Sequence, residues 1–387
     1  MTTCDKTMIR DIQRQEMSDL TMKVLVVFGT RPEAIKMCPL VLELKKEKKI
    51  ECVVCLTGQH REMLEQVMGV FDVRADYNLD IMKDGQTLTE ITTAILTGME
   101  SVLEAEIPDI VLVHGDTTTS YAAALAAFYK HIPVGHVEAG LRTGDIYSPY
   151  PEEMNRLLTD RLSTYHYAPT ERNKLNLQHE GIFGGIVTGN TVIDAFQYTV
   201  KEDYTFNAEA LNQIDFNTCK VIAVTAHRRE NLGDPLRNIC RAIKQLSLEY
   251  QDLLFVYPVH LNPAVREVVG DVLIGLDRVL LLDPIDVLDM HNLLSRVYMV
   301  MTDSGGLQEE APHFGKPVLV LRNETERPEA VEAGTVKVVG TEIEKIYQSA
   351  KLLLESDDEY SNMSRAINPY GDGHASERIV GSFPREI

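Results

Sequence analysis

Nowhere do the 387 residues approach the roughly 18 consecutive apolar residues that a membrane-spanning helix needs, so no membrane partner is expected. Cysteine is scarce. Cys4, Cys38, Cys52, Cys55, Cys219 and Cys240 are too scattered for a disulfide framework, and a reducing compartment is expected. The one C-x-x-C, Cys52–Cys55, lies in the apolar run Ile50–Leu56. A strand there points residues three apart to opposite faces, so buried core thiols are expected rather than a metal or redox pair. Positive charge is also short: 38 Lys and Arg against 58 Asp and Glu leave a net charge of −20. That excludes broad, charge-driven binding to nucleic acid or anionic membrane. Residues 1–21 carry Asp5, Lys6, Arg10, Asp11, Arg14, Glu16 and Asp19 with no apolar h-region, so a secretory signal is not expected and a cytoplasmic protein is. No G-x-G-x-x-G follows the first apolar run and no G-x-x-x-x-G-K-[ST] occurs, so the usual dinucleotide and P-loop fingerprints are missing.

What is present is an alternation. From Lys23 onward, short apolar runs (Lys23–Phe28, Ile50–Leu56, Asp109–His114, Pro133–Glu138) are separated by segments of helical period (Pro32–Glu47, Thr87–Glu106, Thr117–Tyr129). Strands buried on both faces look like continuous Val/Ile/Leu stretches, and alternation with helices marks a parallel, doubly wound α/β sheet. A strand at Ile186–Thr188 closes this series. A second begins at Lys220–Ala226 and continues through Leu253–Val259, Val279–Leu282, Val297–Thr302 and Pro317–Leu321, with the join near Gly189–Ala210. The fold class expected is therefore α/β, two Rossmann-like doubly wound domains. Open α/β sheets bind ligands at the carboxyl ends of their strands, so the cleft between two such domains is the expected site.

The strand ends hold reactive residues. After the first run comes Gly29-Thr30-Arg31-Pro32-Glu33-Ala34-Ile35-Lys36, with Pro32 suited to a first helical turn. Arg31 and Lys36 then sit near a helix start that already favours an anion, although a capped helix with solvated basic residues is the plainer reading. Three acidic groups follow, at Asp116 in His114-Gly115-Asp116-Thr117, at Glu138 in Glu138-Ala139-Gly140-Leu141-Arg142, and at Glu152-Glu153. Singly, Asp116 could be a helix cap and Glu152 or Glu153 a first-turn residue. Jointly, they supply what paired acid and base work requires. In the second series, His227-Arg228-Arg229-Glu230-Asn231, Asp303-Ser304-Gly305-Gly306-Leu307-Gln308-Glu309-Glu310 and Arg322 to Glu329 bring cations and glycine N–H donors to strand ends. That grouping suits a pyrophosphate, with Glu309 or Glu310 available to ribose hydroxyls.

Gly29-Thr30-Arg31-Pro32-Glu33, His114-Gly115-Asp116-Thr117, Glu138-Ala139-Gly140-Leu141-Arg142, His227-Arg228-Arg229-Glu230-Asn231, Asp303-Ser304-Gly305-Gly306 and Glu326-Arg327-Pro328-Glu329 together resemble the ordered motifs of the non-hydrolysing UDP-N-acetylglucosamine 2-epimerases. The match runs from about Lys23 to Asn368-Pro369-Tyr370-Gly371. The resemblance implies a glycosyltransferase-B type fold: a first domain over 22–190, a UDP-binding second domain over 191–369, and a C-terminal helix at about 370–387 packing back on the first. It implies interconversion of UDP-GlcNAc and UDP-ManNAc, the latter feeding bacterial surface polysaccharides. It also implies catalytic roles for Asp116, Glu138, Glu152 and His227. Substrate-binding roles fall to Arg31, Lys36, Ser304, Gly305, Gly306, Glu310 and Arg327. No cofactor and no metal are expected, and the chain is expected to be a homodimer.

The chemistry asks for the same groups. The C2 proton of an N-acetylhexosamine is not alpha to a carbonyl, so it becomes acidic only as the anomeric bond stretches. Leaving-group stabilisation must come first. Removal of the proton gives 2-acetamidoglucal, and re-addition of UDP with a proton on the opposite face inverts C2. That demands one ionised and one protonated carboxyl group, with domain closure to trap the intermediate. A glycosyltransferase-B type UDP-sugar transferase, the alternative, would leave the acids on two faces unexplained, and a sugar-nucleotide sensor would not need them. Around Gln59-His60-Arg61-Glu62 and Lys83-Asp84-Gly85-Gln86, Glu62 and Gly85 stand where an amide and a basic side chain would suit a second nucleotide, so allosteric activation is not expected.

Overall fold

A computed structural model describes residues 21–58, 61–83 and 85–384, and within these thirteen strands form two wholly parallel sheets. The first sheet contains β1 (Met22–Phe28), β2 (Ile50–Leu56), β3 (Tyr77–Asn78), β4 (Ile110–His114), β5 (Val134–Val137), β6 (Tyr165–Ala168) and β7 (Ile186–Val187), in the order β3-β2-β1-β4-β5-β6-β7. The second contains β8 (Lys220–Thr225), β9 (Leu253–Pro258), β10 (Val279–Leu282), β11 (Met299–Thr302), β12 (Val318–Val320) and β13 (Val336–Val338), in the order β10-β9-β8-β11-β12-β13. The strand order reverses between β1 and β4 in one sheet and between β8 and β11 in the other. Those are the switch points at which such sheets bind ligands.

The chain divides into two compact units. One runs to Ala195 and also takes in the segment from His374; the other is Phe196–Gly373. In the first, Val24, Leu25, Val26, Val27 and Phe28 are completely buried, as are Val111, Leu112 and Val113, because helices cover both faces of the sheet. Helix Ala375–Gly381 lies against helix Arg31–Lys46 of this same unit. Its start is fixed by Asp194, whose carboxylate accepts from the Ala375 and Ser376 amides at 3.1 and 2.7 Å. The second unit has its own core, in which Ile222, Val224, Phe255, Met299 and Leu319 of the sheet pack against Leu236, Ile239, Ile243 and Leu246 of helix Asp234–Glu249.

Several elements end differently from the sequence expectation. Asp109 is not a strand residue; its carboxylate accepts from the Lys23 amide at 2.8 Å, closing the ladder beneath β4. Glu138 leaves β5 because its backbone turns into the left-handed region, at φ 68°. β11 starts at Met299 rather than Val297, since Val297 caps helix Val287–Arg296. Cys55 is buried and Cys52 half-buried in β2, and burial pushes both thiols up to about 12. Thiols so desolvated are packing groups rather than redox or metal ligands.

Candidate active site

The first unit brings two strand ends together through one buried side chain. Helix Arg31–Lys46 opens with a capping box, in which the Thr30 hydroxyl accepts from the Glu33 amide while Glu33 Oε2 accepts from the Thr30 amide at 2.7 Å. The same oxygen takes the Gly29 amide at 3.0 Å. Glu33 Oε1 accepts from the hydroxyls of Thr117 and Ser120 at 2.6 and 3.1 Å, beyond the end of β4. Gly29 is required here: a Cβ at this position would lie 1.9 Å from Thr57 Oγ1. Glu33 therefore ties the turn carrying Arg31 and Lys36 to the turn carrying Asp116. Both basic residues are half-buried.

Asp116 is not the helix cap. Thr117 caps helix Thr118–Tyr129, its hydroxyl accepting from the Ser120 amide. The Asp116 carboxylate instead meets Arg156, whose Nε and Nη2 donate to Oδ2 at 3.1 and 2.7 Å. Arg156 is 5% exposed and is held from the other side by Glu153 at 2.7 Å. Asn155 donates to the Asp116 carbonyl at 2.9 Å. Helix Glu152–Leu162 thus delivers Glu152 beside two residues that fix Asp116. Glu152 Oε2 is buried and has no hydrogen-bond partner among the described residues.

Glu138 sits where β5 ends. Its Oε2 accepts from Lys36 Nζ and, at 3.0 Å, from Asn190 Nδ2, and lies 3.5 Å from His114 Nε2. Burial works to raise the affinity of this carboxyl for a proton, but Lys36 and His114 outweigh it and hold the group well below the ordinary carboxylate range. Glu138 is therefore an ionised carboxylate in a largely desolvated setting. Its left-handed backbone, costly for a residue with a Cβ, is a strain of the kind that gathers at functional turns.

In the second unit, His227 follows β8 with its imidazole stacked on that of His260, ring centres 5.0 Å apart. Desolvation lowers its proton affinity. Beneath it lies Asp303, fully buried, whose Oδ2 accepts from the His227 and Arg228 amides at 2.8 Å each and from Asn231 Nδ2 at 2.9 Å. Asp303 Oδ1 has no hydrogen-bond partner among the described residues and lies 3.9 Å from His227 Nδ1. Gly305, the first residue of helix Gly305–Glu310, faces two guanidinium groups: a Cβ there would be 3.6 Å from Arg327 Nη2 and 3.8 Å from Arg228 Nη2. Arg327 is anchored by Glu309 through Nε. Glu310 Oε2 lies 3.9 Å from Nε2 of His291, a ring whose proton affinity burial lowers to about 3. Ser304 caps without a side-chain bond, and its amide donates to Thr302 Oγ1 at 2.8 Å. Glu230 meets Arg322, at 2.5 Å.

Asp116, Glu138, Glu152, Arg31 and Lys36 all lie at strand ends of the first unit, and His227, Ser304, Gly305, Gly306, Glu310 and Arg327 at those of the second. Sequence reasoning did not single out Arg156, Asn190, His114 or Asp303 for roles. The quoted motifs contained His114 and Asp303, but only the fold shows what each of the four touches. Gln59, His60 and Asp84 and the side chains of Arg61 and Glu62 lie outside the described residues, as do residues 1–20, so the expectation about a second nucleotide, which rests on Glu62 and Gly85, falls partly there. Among the described residues no cluster of His, Cys, Asp and Glu is placed to hold a metal ion, and no helix is long and apolar enough to cross a membrane.

Residues 42–383 match the family model described as UDP-N-acetylglucosamine 2-epimerase. The UDP-N-acetylglucosamine 2-epimerase of Bacillus subtilis is 55% identical over 364 residues, covering 93% of this chain and 94% of that protein. A relative from Thermotoga maritima is 57% identical over 367 residues, covering 95% of this chain and 97% of its own length. The crystal structure of UDP-GlcNAc 2-epimerase from Neisseria meningitidis bound to UDP-GlcNAc superposes with a TM-score of 0.85 at 53% identity, over 93% of this chain and 99% of that one.

Proposed function

The chain belongs to the UDP-N-acetylglucosamine 2-epimerase family, and we propose that it interconverts UDP-GlcNAc and UDP-ManNAc by eliminating UDP to 2-acetamidoglucal and adding it back with inversion at C2. The observation that carries this reading is Glu138, a carboxylate kept ionised at the end of β5, with a second carboxylate, Asp116, clamped by Arg156 after the neighbouring strand β4. In this scheme the first unit works on the sugar. As the C1–O bond stretches, positive charge grows at C1 and the C2 proton becomes acidic enough for a positioned carboxylate to remove. Glu138, ionised and desolvated, suits that base. Asp116 is the second carboxyl group, for the opposite face, and Glu152 is a third acid whose Oε2 has no hydrogen-bond partner among the described residues.

The second unit works on the leaving group. His227, Arg228 and Arg327 with the Ser304–Gly306 backbone supply donors for a diphosphate whose charge rises as it departs, which is where preorganised donors lower a barrier most. Glu310 is positioned to take ribose hydroxyls, and Arg31 and Lys36 serve the diphosphate end from the first unit. Inversion needs no stored electron, so no redox cofactor enters the scheme. We read the enzyme as a cytoplasmic homodimer, a state that light scattering reads as twice the chain mass.

The test is turnover of UDP-GlcNAc in deuterated water. Deuterium should enter C2 of both epimers, with net UDP release a minor product; epimerisation without deuterium at C2 contradicts the proposal.

A further inference from the structure

One buried pair of side chains, unused in the scheme above, holds the backbone of both acid-bearing turns. His136, in β5, has no exposed surface. Its Nε2 lies 2.8 Å from the Gly115 carbonyl, immediately before Asp116, and its Nδ1 lies 2.6 Å from Asp160 Oδ1. The other oxygen of Asp160 accepts from the Gly140 amide, two residues after Glu138, at 3.3 Å, and from Arg142 Nη2 at 2.7 Å. Arg142 is gripped in turn by Glu180 at 2.7 and 2.8 Å. Gly115 and Gly140 are both left-handed, at φ 66° and 84°, so these are the hinge points of their turns.

Both ring nitrogens of His136 face acceptors. A peptide carbonyl has no proton to give, so Nε2 must donate. A neutral ring would then present a lone pair to the carboxylate. Asp160 does not readily supply the missing proton, because its other oxygen is held by Arg142, a permanent cation that favours the ionised carboxylate. The arrangement is satisfied when the ring donates from both nitrogens.

We propose that His136 is a positioning residue of the epimerisation, an imidazolium paired with Asp160 that fixes the turns of Asp116 and Glu138 relative to each other. A buried charge pair contributes little to stability compared with apolar residues of similar volume. Here both of its outer bonds end on backbone atoms of the two turns, and inversion at C2 needs groups on two faces held at one separation. The inference rests on reading Asp116 and Glu138 as the reacting carboxyl groups.

Three measurements test it together. His136→Gln should lower kcat about 100-fold, the loss that a misplacement of roughly 1 Å brings, while the KM for UDP-GlcNAc and the Kd for UDP stay within about two-fold. Its ratio of 2-acetamidoglucal released to epimer formed should rise, which a loss of folded enzyme alone would not produce. In the unaltered protein, nitrogen-15 NMR of the histidine rings near neutral pH should show one buried ring protonated at both nitrogens, and that resonance should vanish in His136→Phe. Normal kcat in His136→Gln, a fall of activity and UDP binding in one proportion, or a singly protonated His136 ring overturns the inference. Normal turnover in Glu138→Gln, measured alongside, overturns the reading of the acids instead.

Discussion

Glu138, the base of the proposed scheme, is a carboxyl group whose charge is set by its neighbours. Placed in apolar surroundings alone, its carboxyl would bind a proton more tightly; Lys36 and His114 reverse that balance. The pairing has a pH consequence of known sign. A depressed carboxyl contributes stability that is complete above its unfolded value and is lost as pH falls toward its folded value. Lys36→Met should therefore move the acidic limb of kcat/KM to higher pH, in addition to lowering its plateau, and an unmoved limb in the variant would remove Lys36 as the cause. Asp303 gives a second residue-scale prediction. Its one oxygen receives three donors while the other faces His227 Nδ1 unbonded. Asp303→Asn should destabilise the fold by about 2–4 kcal/mol in urea titration, since buried donors lose a charged acceptor. It should also lower kcat more than it weakens UDP binding.

At the scale of elements, the turns after β1, β4 and β5 are held by caps and glycines rather than by chain length. Thr30→Ala removes one half of the capping box and should cost about 1 kcal/mol of stability. Gly140→Ala should cost more, about 2–3 kcal/mol, because the residue is left-handed and its Cβ would lie 2.2 Å from the Asn173 carbonyl oxygen. A thermal melt of the two variants side by side checks the order. These elements also show what was readable beforehand. The long Val/Ile/Leu strands and the capped helices declared themselves, because a strand buried on both faces has no choice but to be apolar. β3 (Tyr77–Asn78) and β6 (Tyr165–Ala168) did not, being two residues and a Tyr-His-Tyr-Ala segment without an apolar run. The acidic residues were visible as types at strand ends. Their partners were not, since Arg156 reaches Asp116 across 40 positions and Asn190 reaches Glu138 across 52.

For the whole molecule, the unusual feature is where the few cations are. A chain of net charge −20 places Arg31, Lys36, Arg228, Arg322 and Arg327 near the carboxyl ends of the strands of its two parallel sheets, and pairs Lys36, Arg322 and Arg327 there with carboxylates. A net negative chain disfavours polyanions generally, and in the proposed scheme a small diphosphate is held by defined donors instead. The family's match over nearly the full length, and the glycosyltransferase-B type pair of Rossmann-like units, accord with a nucleotide-sugar ligand. Departure and return of UDP is the central step of the proposed scheme. UDP-GlcNAc carrying oxygen-18 in the bridge between C1 and the β-phosphorus reads that step directly by phosphorus NMR. During turnover the label should spread from the bridge to the non-bridging β-phosphate positions, because a departed diphosphate rotates before it re-adds. Epimer formed with the label still wholly in the bridge would contradict the account.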